Sequence, residues 1–194
     1  MRKLCLRVLA SLWVLSAGCG DSGGTPAQPE DPSANEDPGT YLPKPSDFAR
    51  FHEWDSFPND AVEGAPPHDA TLGPMTVYIN KLPAPGSTEF EVGTLIVKET
   101  NEDDPTVRRV FARAKRGGKY NKSGAVGWEW FELANNANGT VAQRWRGLGP
   151  PPPGEEDSCT TGYGGDAKGG CNACHLPVSD NDYVWTTGLQ LSDF

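Results

Sequence analysis

Apolar and polar residues repeat along this chain with two periods, and the change from one to the other marks out its elements. Phe48, Phe51 and Trp54 recur near helical spacing behind Ser46, a residue type suited to an N-cap, which predicts a short helix over 47–55. Beyond a loop with Pro58, Pro66 and Pro67 the period becomes two. Thr76-Val77-Tyr78-Ile79-Asn80 reads as a strand, and 94–99 as a second with Thr94, Ile96 and Lys98 on one face. From Val107 to Ala114 arginines alternate with apolar residues, a third strand.

The strongest local signal is a hairpin, in which 128–134 and 140–146 flank Asn138-Gly139, the preferred pair of a tight type I′ turn. That turn pairs Glu132 with Trp145 and Ala134 with Gln143. It puts Trp128, Trp130, Glu132 and Trp145 on one face and Glu129, Phe131, Leu133, Arg144 and Arg146 on the other. Three tryptophans beside one carboxylate make either a cofactor wall, with Trp130 at its centre, or a core face with Glu132 at its rim. The segment 147–170, with Pro150 to Pro153 in a row, has no period and leads into Cys171. The expectation is a mainly β (α+β) domain over 46–194: an antiparallel sheet, a few short helices and a C-terminal CxxCH segment.

Ahead of the domain the composition changes. Residues 1–18 carry Arg2, Lys3 and Arg7, then an apolar run from Val8 to Ala17 that is too short to span a bilayer and suits a signal-peptide core. Ser16-Ala17-Gly18-Cys19 looks like a bacterial lipoprotein signal in which Cys19 is lipidated, although Leu15 lies one place further from the cysteine than usual; cleavage near Ala17 is the alternative. Both readings export the chain, the first as a periplasmic protein lipid-anchored to a membrane, expected to be the outer one. Residues 19–45 are Gly, Pro, Ser, Asp and Glu with almost nothing apolar, a disordered tether. Three of the 17 basic side chains lie within 1–18, so losing that segment takes the net charge from −9 to −12. Such a balance argues against nucleic acid and is compatible with a basic redox partner.

Cys171-Asn172-Ala173-Cys174-His175 has the spacing of c-type haem attachment: two thiols form thioethers to one porphyrin, and the adjacent histidine ligates its iron. A structural zinc site, a redox dithiol and a disulfide are the alternatives, and export weakens the first two. Cys159 is left over and would complete a Cys3His zinc set with Cys171, Cys174 and His175. For the iron's sixth position, Met1 departs with the signal, no methionine follows the motif, and His52 and His68 read as surface or packing residues. One covalent haem c with an open axial site is the expectation, and a methionine-ligated electron carrier is disfavoured.

The chain resembles the cytochrome P-460 family, which includes cytochrome c′-β, over about 48–190. The stretches that carry the resemblance are Val77-Tyr78-Ile79-Asn80, Phe90-Glu91-Val92-Gly93-Thr94 with Val97-Lys98-Glu99, and Ala114-Lys115-Arg116. Gly127-Trp128-Glu129-Trp130, the haem motif and Asp182-Tyr183-Val184-Trp185-Thr186 complete them. The resemblance implies an antiparallel β domain, usually a homodimer, with the haem against the sheet and a five-coordinate iron. Catalytic members oxidise hydroxylamine, join a lysine to a porphyrin meso carbon and use a distal carboxylate; the c′-β relatives bind nitric oxide or other diatomics without turnover. Carried onto this chain, Lys98 is the first candidate for the cross-link and Lys115 the second; Glu132 is the first candidate for the carboxylate and Glu129 the second.

Overall fold

The computed structural model describes residues 41–59, 74–101, 108–135, 141–150, 163–164 and 168–194. The signal, Cys19, His68, the Asn138-Gly139 turn and Cys159 lie outside them. Six strands form an antiparallel meander in chain order: β1 (Asp55–Pro58), β2 (Met75–Ile79), β3 (Leu95–Thr100), β4 (Val110–Lys115), β5 (Trp128–Asn135) and β6 (Val141–Gly147). A two-residue β7 (Tyr163–Gly164) adds to β6 in parallel. The only α-helix among the described residues is α1 (Gly170–His175), followed by 3₁₀ turns to the C-terminus.

Both faces of the sheet are covered, which explains why β3 and β4 are buried along nearly their whole length. On one face Phe48 and Phe51 pack over Leu95, Val97, Val110, Ala112, Phe131 and Leu133. On the other, Val184, Leu189 and Leu191 of the C-terminal segment pack over Val77, Ile79, Ile96, Trp128, Trp130 and Trp145. The helix expected over 47–55 is instead two 3₁₀ turns, Pro45–Phe48 and Phe51–Glu53, and the chain enters β1 directly after Trp54. The reason is in the spacing: Phe48, Phe51 and Trp54 recur every three residues, which eclipses them on a 3₁₀ turn. Tyr41 and Pro43, at the end of the stretch that reads as tether, are hydrogen-bonded to arginines at and beside the sheet. The Tyr41 N–H donates to Arg116 O at 3.1 Å, and Arg146 Nη1 donates to Pro43 O at 3.0 Å.

The third strand runs from Val110, later than expected, to Lys115. In the hairpin, Glu132 pairs with Trp145 as expected, but Ala134 pairs with Ala142 and not Gln143. A register shift between Glu132 and Leu133 leaves Arg144 as an extra residue, a bulge. Its guanidinium therefore reaches Glu132, at 3.5 Å, on the face opposite to the one that strict alternation assigns it.

Candidate functional site

The register lines up chemistry from distant parts of the chain on the face covered by the C-terminal segment. Val77, Lys98, Phe111, Glu132 and Trp145 stand opposite one another across β2 to β6. Ile79, Ile96, Arg113 and Trp130 form the next row. Between these rows and α1 lies a cavity of about 60 Å³, open on one side, whose lining includes Lys98, Phe111, Arg113, Trp130, Cys171 and His175.

Helix α1 brings the motif to this cavity. Positions three and four apart share a helix side, so Cys171, Cys174 and His175 project together; Cys171 and His175 line the cavity while Cys174 is exposed. Burial pushes the Cys171 thiol up to about 12, with the neighbouring Cys174 adding to it, so the folded chain holds it protonated. The motif's second residue is its anchor. Asn172 Oδ1 accepts from Asn121 Nδ2 (2.8 Å), the Ala125 N–H (3.0 Å) and Trp130 Nε1 (3.0 Å), and Asn172 Nδ2 donates to Leu148 O at 2.7 Å. Its last residue, His175, packs against Trp130 with ring centroids 4.7 Å apart and the ring planes tilted by 46°.

His175 Nδ1 lies 2.6 Å from Tyr183 O. A carbonyl can only accept, so Nδ1 carries the hydrogen and Nε2 is the nitrogen with the in-plane lone pair. A ring nitrogen donating to a backbone carbonyl while the other faces a ligand is the usual arrangement of a metal-binding histidine. The carbonyl is aimed by two successive left-handed residues, Asp182 (φ 48°) and Tyr183 (φ 65°), an uncommon conformation for side chains other than glycine. Asp182 is pinned by Lys115 Nζ (2.6 and 2.7 Å), Trp128 Nε1 (3.2 Å) and the Phe90 N–H (2.9 Å).

That pairing separates the two candidate lysines. Lys115 is buried in a bidentate ion pair that fastens the C-terminal segment to β4. Lys98 lines the cavity, and among the described residues no carboxylate or carbonyl bonds its amine. Burial, with the charge of Arg113 adding to it, pulls the Lys98 ammonium down from 10.5 to about 8. Between those values the unfolded chain binds more protons at Lys98 than the folded one, so stability rises with pH across that window. The contribution is complete above the unfolded value and lost as pH falls through about 8. Its size is on the order of 3 kcal/mol. Denaturant unfolding of the haem-free protein on either side of the window should show the rise, and Lys98→Met should flatten it; an unchanged slope in the variant would remove the assignment.

The two candidate carboxylates also part. Glu132 shares its row and face with Lys98 but is not in the cavity lining. It accepts from Trp145 Nε1 at 2.9 Å and Arg109 Nε at 3.1 Å, with Arg144 at 3.5 Å. Glu129 is fully buried on the opposite face, held by Arg146 at 2.6 and 2.7 Å and by Arg116 at 3.4 Å, and does not face the cavity. His52 is also on that other side, 2.9 Å from Glu99. Met75 is buried beyond the lining of the cavity.

No family model, characterised protein or solved structure matches this chain.

The donor set suits a covalently held haem: two thiols and a histidine of the right tautomer on one helix, against tryptophan and aliphatic walls. The cavity, at about 60 Å³, is smaller than a porphyrin, so it is the donor set and the apolar walls, not the volume, that suit the group. Among the described residues no group of three or more His, Cys, Asp or Glu could hold a bare metal ion. Likewise no described helix is long and apolar enough to cross a membrane. Sequence reasoning missed Arg113, Asn172, Asp182 and the Tyr183 carbonyl. The alternation over 107–114 carried a signal for Arg113, since it places that residue on the face of Phe111; the others depend on contacts across the fold.

Proposed function

We propose that the chain is an exported, lipid-anchored haem c protein of the cytochrome P-460 type that oxidises hydroxylamine or a similar small nitrogen compound. The observation that carries this reading is the His175 tautomer, set by Tyr183 O at 2.6 Å inside a cavity that Lys98 also lines. Cys171 and Cys174 would hold the haem and His175 would ligate it. When bound, the haem supplies an iron with an open position where a small nitrogen compound can be held and give up electrons. Phe111 and Trp130 give the cavity apolar walls. Lys98, an amine that burial makes partly neutral near pH 8, is suited to a covalent bond with the porphyrin edge. Glu132 is the nearest carboxylate in the row to take up the protons that oxidation releases. A redox partner protein would receive the electrons.

A second reading, capture of nitric oxide or another diatomic without turnover, is favoured by one feature: Glu132 is already engaged by Arg109, Arg144 and Trp145. The full chain, matured with haem-attachment machinery, separates the readings. Covalent haem at one per chain is expected, lost in a Cys171→Ala, Cys174→Ala double variant. The ferrous Soret band should be strongly red-shifted and return to an ordinary c-type position in Lys98→Arg; an ordinary Soret in the parent would sink the cross-link. Glu132→Gln should lower hydroxylamine turnover by about 10²-fold or more with haem content preserved. Binding of nitric oxide with no turnover in the parent would establish the second reading.

A further inference from the structure

Arg113 is a buried cation with an unusual assignment. Among the described residues no carboxylate bonds it: the nearby Asp182 is taken by Lys115 and Trp128. Its guanidinium lies over the Trp128 ring, 4.8 Å from the centroid, and 5.7 Å from that of Trp130. Its Nη1 donates to Tyr183 O at 2.6 Å, the same oxygen that accepts from His175 Nδ1 at 2.6 Å. Nη1 and Nδ1 are 3.4 Å apart. Both carry hydrogens, so they converge on the carbonyl and do not bond each other. Burial pulls the guanidinium down to about 10, which leaves it charged at neutral pH. A buried cation that no carboxylate bonds directly, with Asp182 acting on it only through its charge, is costly, and its one strong polar contact is the acceptor that orients His175.

We propose that Arg113 is a positioning residue that raises the reduction potential of the haem iron by sharing the Tyr183 carbonyl with His175. The proposal rests on the haem reading above. Two donors on one oxygen compete for its lone pairs, so Arg113 weakens the pull of the carbonyl on the Nδ1 hydrogen. The imidazole keeps less negative character and is a poorer donor to the iron, which disfavours the ferric state. The guanidinium charge beside the ligand acts in the same direction, because the ferrous state carries one positive charge less. The left-handed pair Asp182-Tyr183, fixed by Lys115, holds the shared oxygen in place.

The test uses the haem-loaded full chain with Arg113→Met and, keeping a donor without the charge, Arg113→Gln. Redox titration gives the potential, resonance Raman of the ferrous protein gives the iron–histidine stretch, and covalent haem content is measured on the same samples. Arg113→Met should lower the ferrous-to-ferric equilibrium constant at least tenfold, 59 mV for one electron, and raise the stretching frequency. Arg113→Gln should lower the constant by a smaller factor of about three or more, and decides the matter if the Met variant takes up no haem. Haem-loaded variants at the parent's potential and stretch would overturn the role of Arg113 while leaving the haem reading intact. A parent chain without covalent haem would overturn both.

Discussion

Truncating Glu129 to alanine should destabilise the folded protein by about 3–5 kcal/mol, the largest loss expected from any single change on the sheet. Glu129 is fully buried beneath the N-terminal turns, and both of its oxygens are engaged by Arg146, with Arg116 adjacent. These arginines also hold the incoming chain: Arg116 Nε donates to Tyr41 O at 3.2 Å and Arg146 Nη1 to Pro43 O. Removing the carboxylate leaves buried guanidinium charge without its anion, a far larger penalty than the net worth of the pair. At about 2–4 °C per kcal/mol for a domain of this size, the midpoint of thermal unfolding should fall by roughly 10 °C. Glu129→Leu combined with Arg146→Met should recover part of the loss, because it removes the two closest charges together while Arg116 remains. Denaturant melts of the three proteins check this. A drop under about 1 kcal/mol for the single variant would mean the pair is solvated and the N-terminal turns do not seal it.

Asn172→Ala should cost about 3 kcal/mol or more by a different route. The side chain lies inside the CxxCH motif yet is fully buried, and its one oxygen receives three N–H groups while its amide reaches Leu148 O. Each buried donor deprived of an acceptor costs about 1–3 kcal/mol, reduced where water enters. The Ala125 N–H and Trp130 Nε1 have that oxygen as their bonded acceptor, whereas Asn121 Nδ2 also donates to Trp128 O at 3.0 Å. The loss is therefore concentrated between the motif and the 121–130 segment, and Trp130 fluorescence should change along with stability. The variant should also release α1 from the sheet, so covalent haem content should fall although both cysteines and His175 remain. Unchanged haem content would show that the motif needs only its own spacing.

Much of the sheet was legible in the chain because a strand writes its two faces into alternate residues. The strands at 76–80, 94–99 and 128–134 were read within a residue or so, and so was the common face of Trp128, Trp130, Glu132 and Trp145. The N-terminal segment reads as one helix because a spacing of three is shared by both helix types and only the packing of Phe48 and Phe51 selects between them. Arg144 was put on the wrong face because strict alternation contains no bulge.

The site divides along the same line. Spacing along the chain is enough to put Cys171, Cys174 and His175 on one side of any helix they form, and Lys98 and Ile96 on one side of a strand. Residues 176–194 of this acidic chain also contain no methionine. The different surroundings of Lys98 and Lys115 come from the fold, since the partner that occupies Lys115 is Asp182, 67 positions along the chain, while Lys98 lines the cavity. The fold also buries Glu129 against Arg146 and places Arg113 on the carbonyl that orients His175. The physical reason is that periodicity specifies a side chain's face, while its charge state and its role depend on which opposite charge or acceptor the fold brings within about 3 Å. That choice is made by strand register and by the path of the C-terminal segment, and neither is written in any one stretch of the chain.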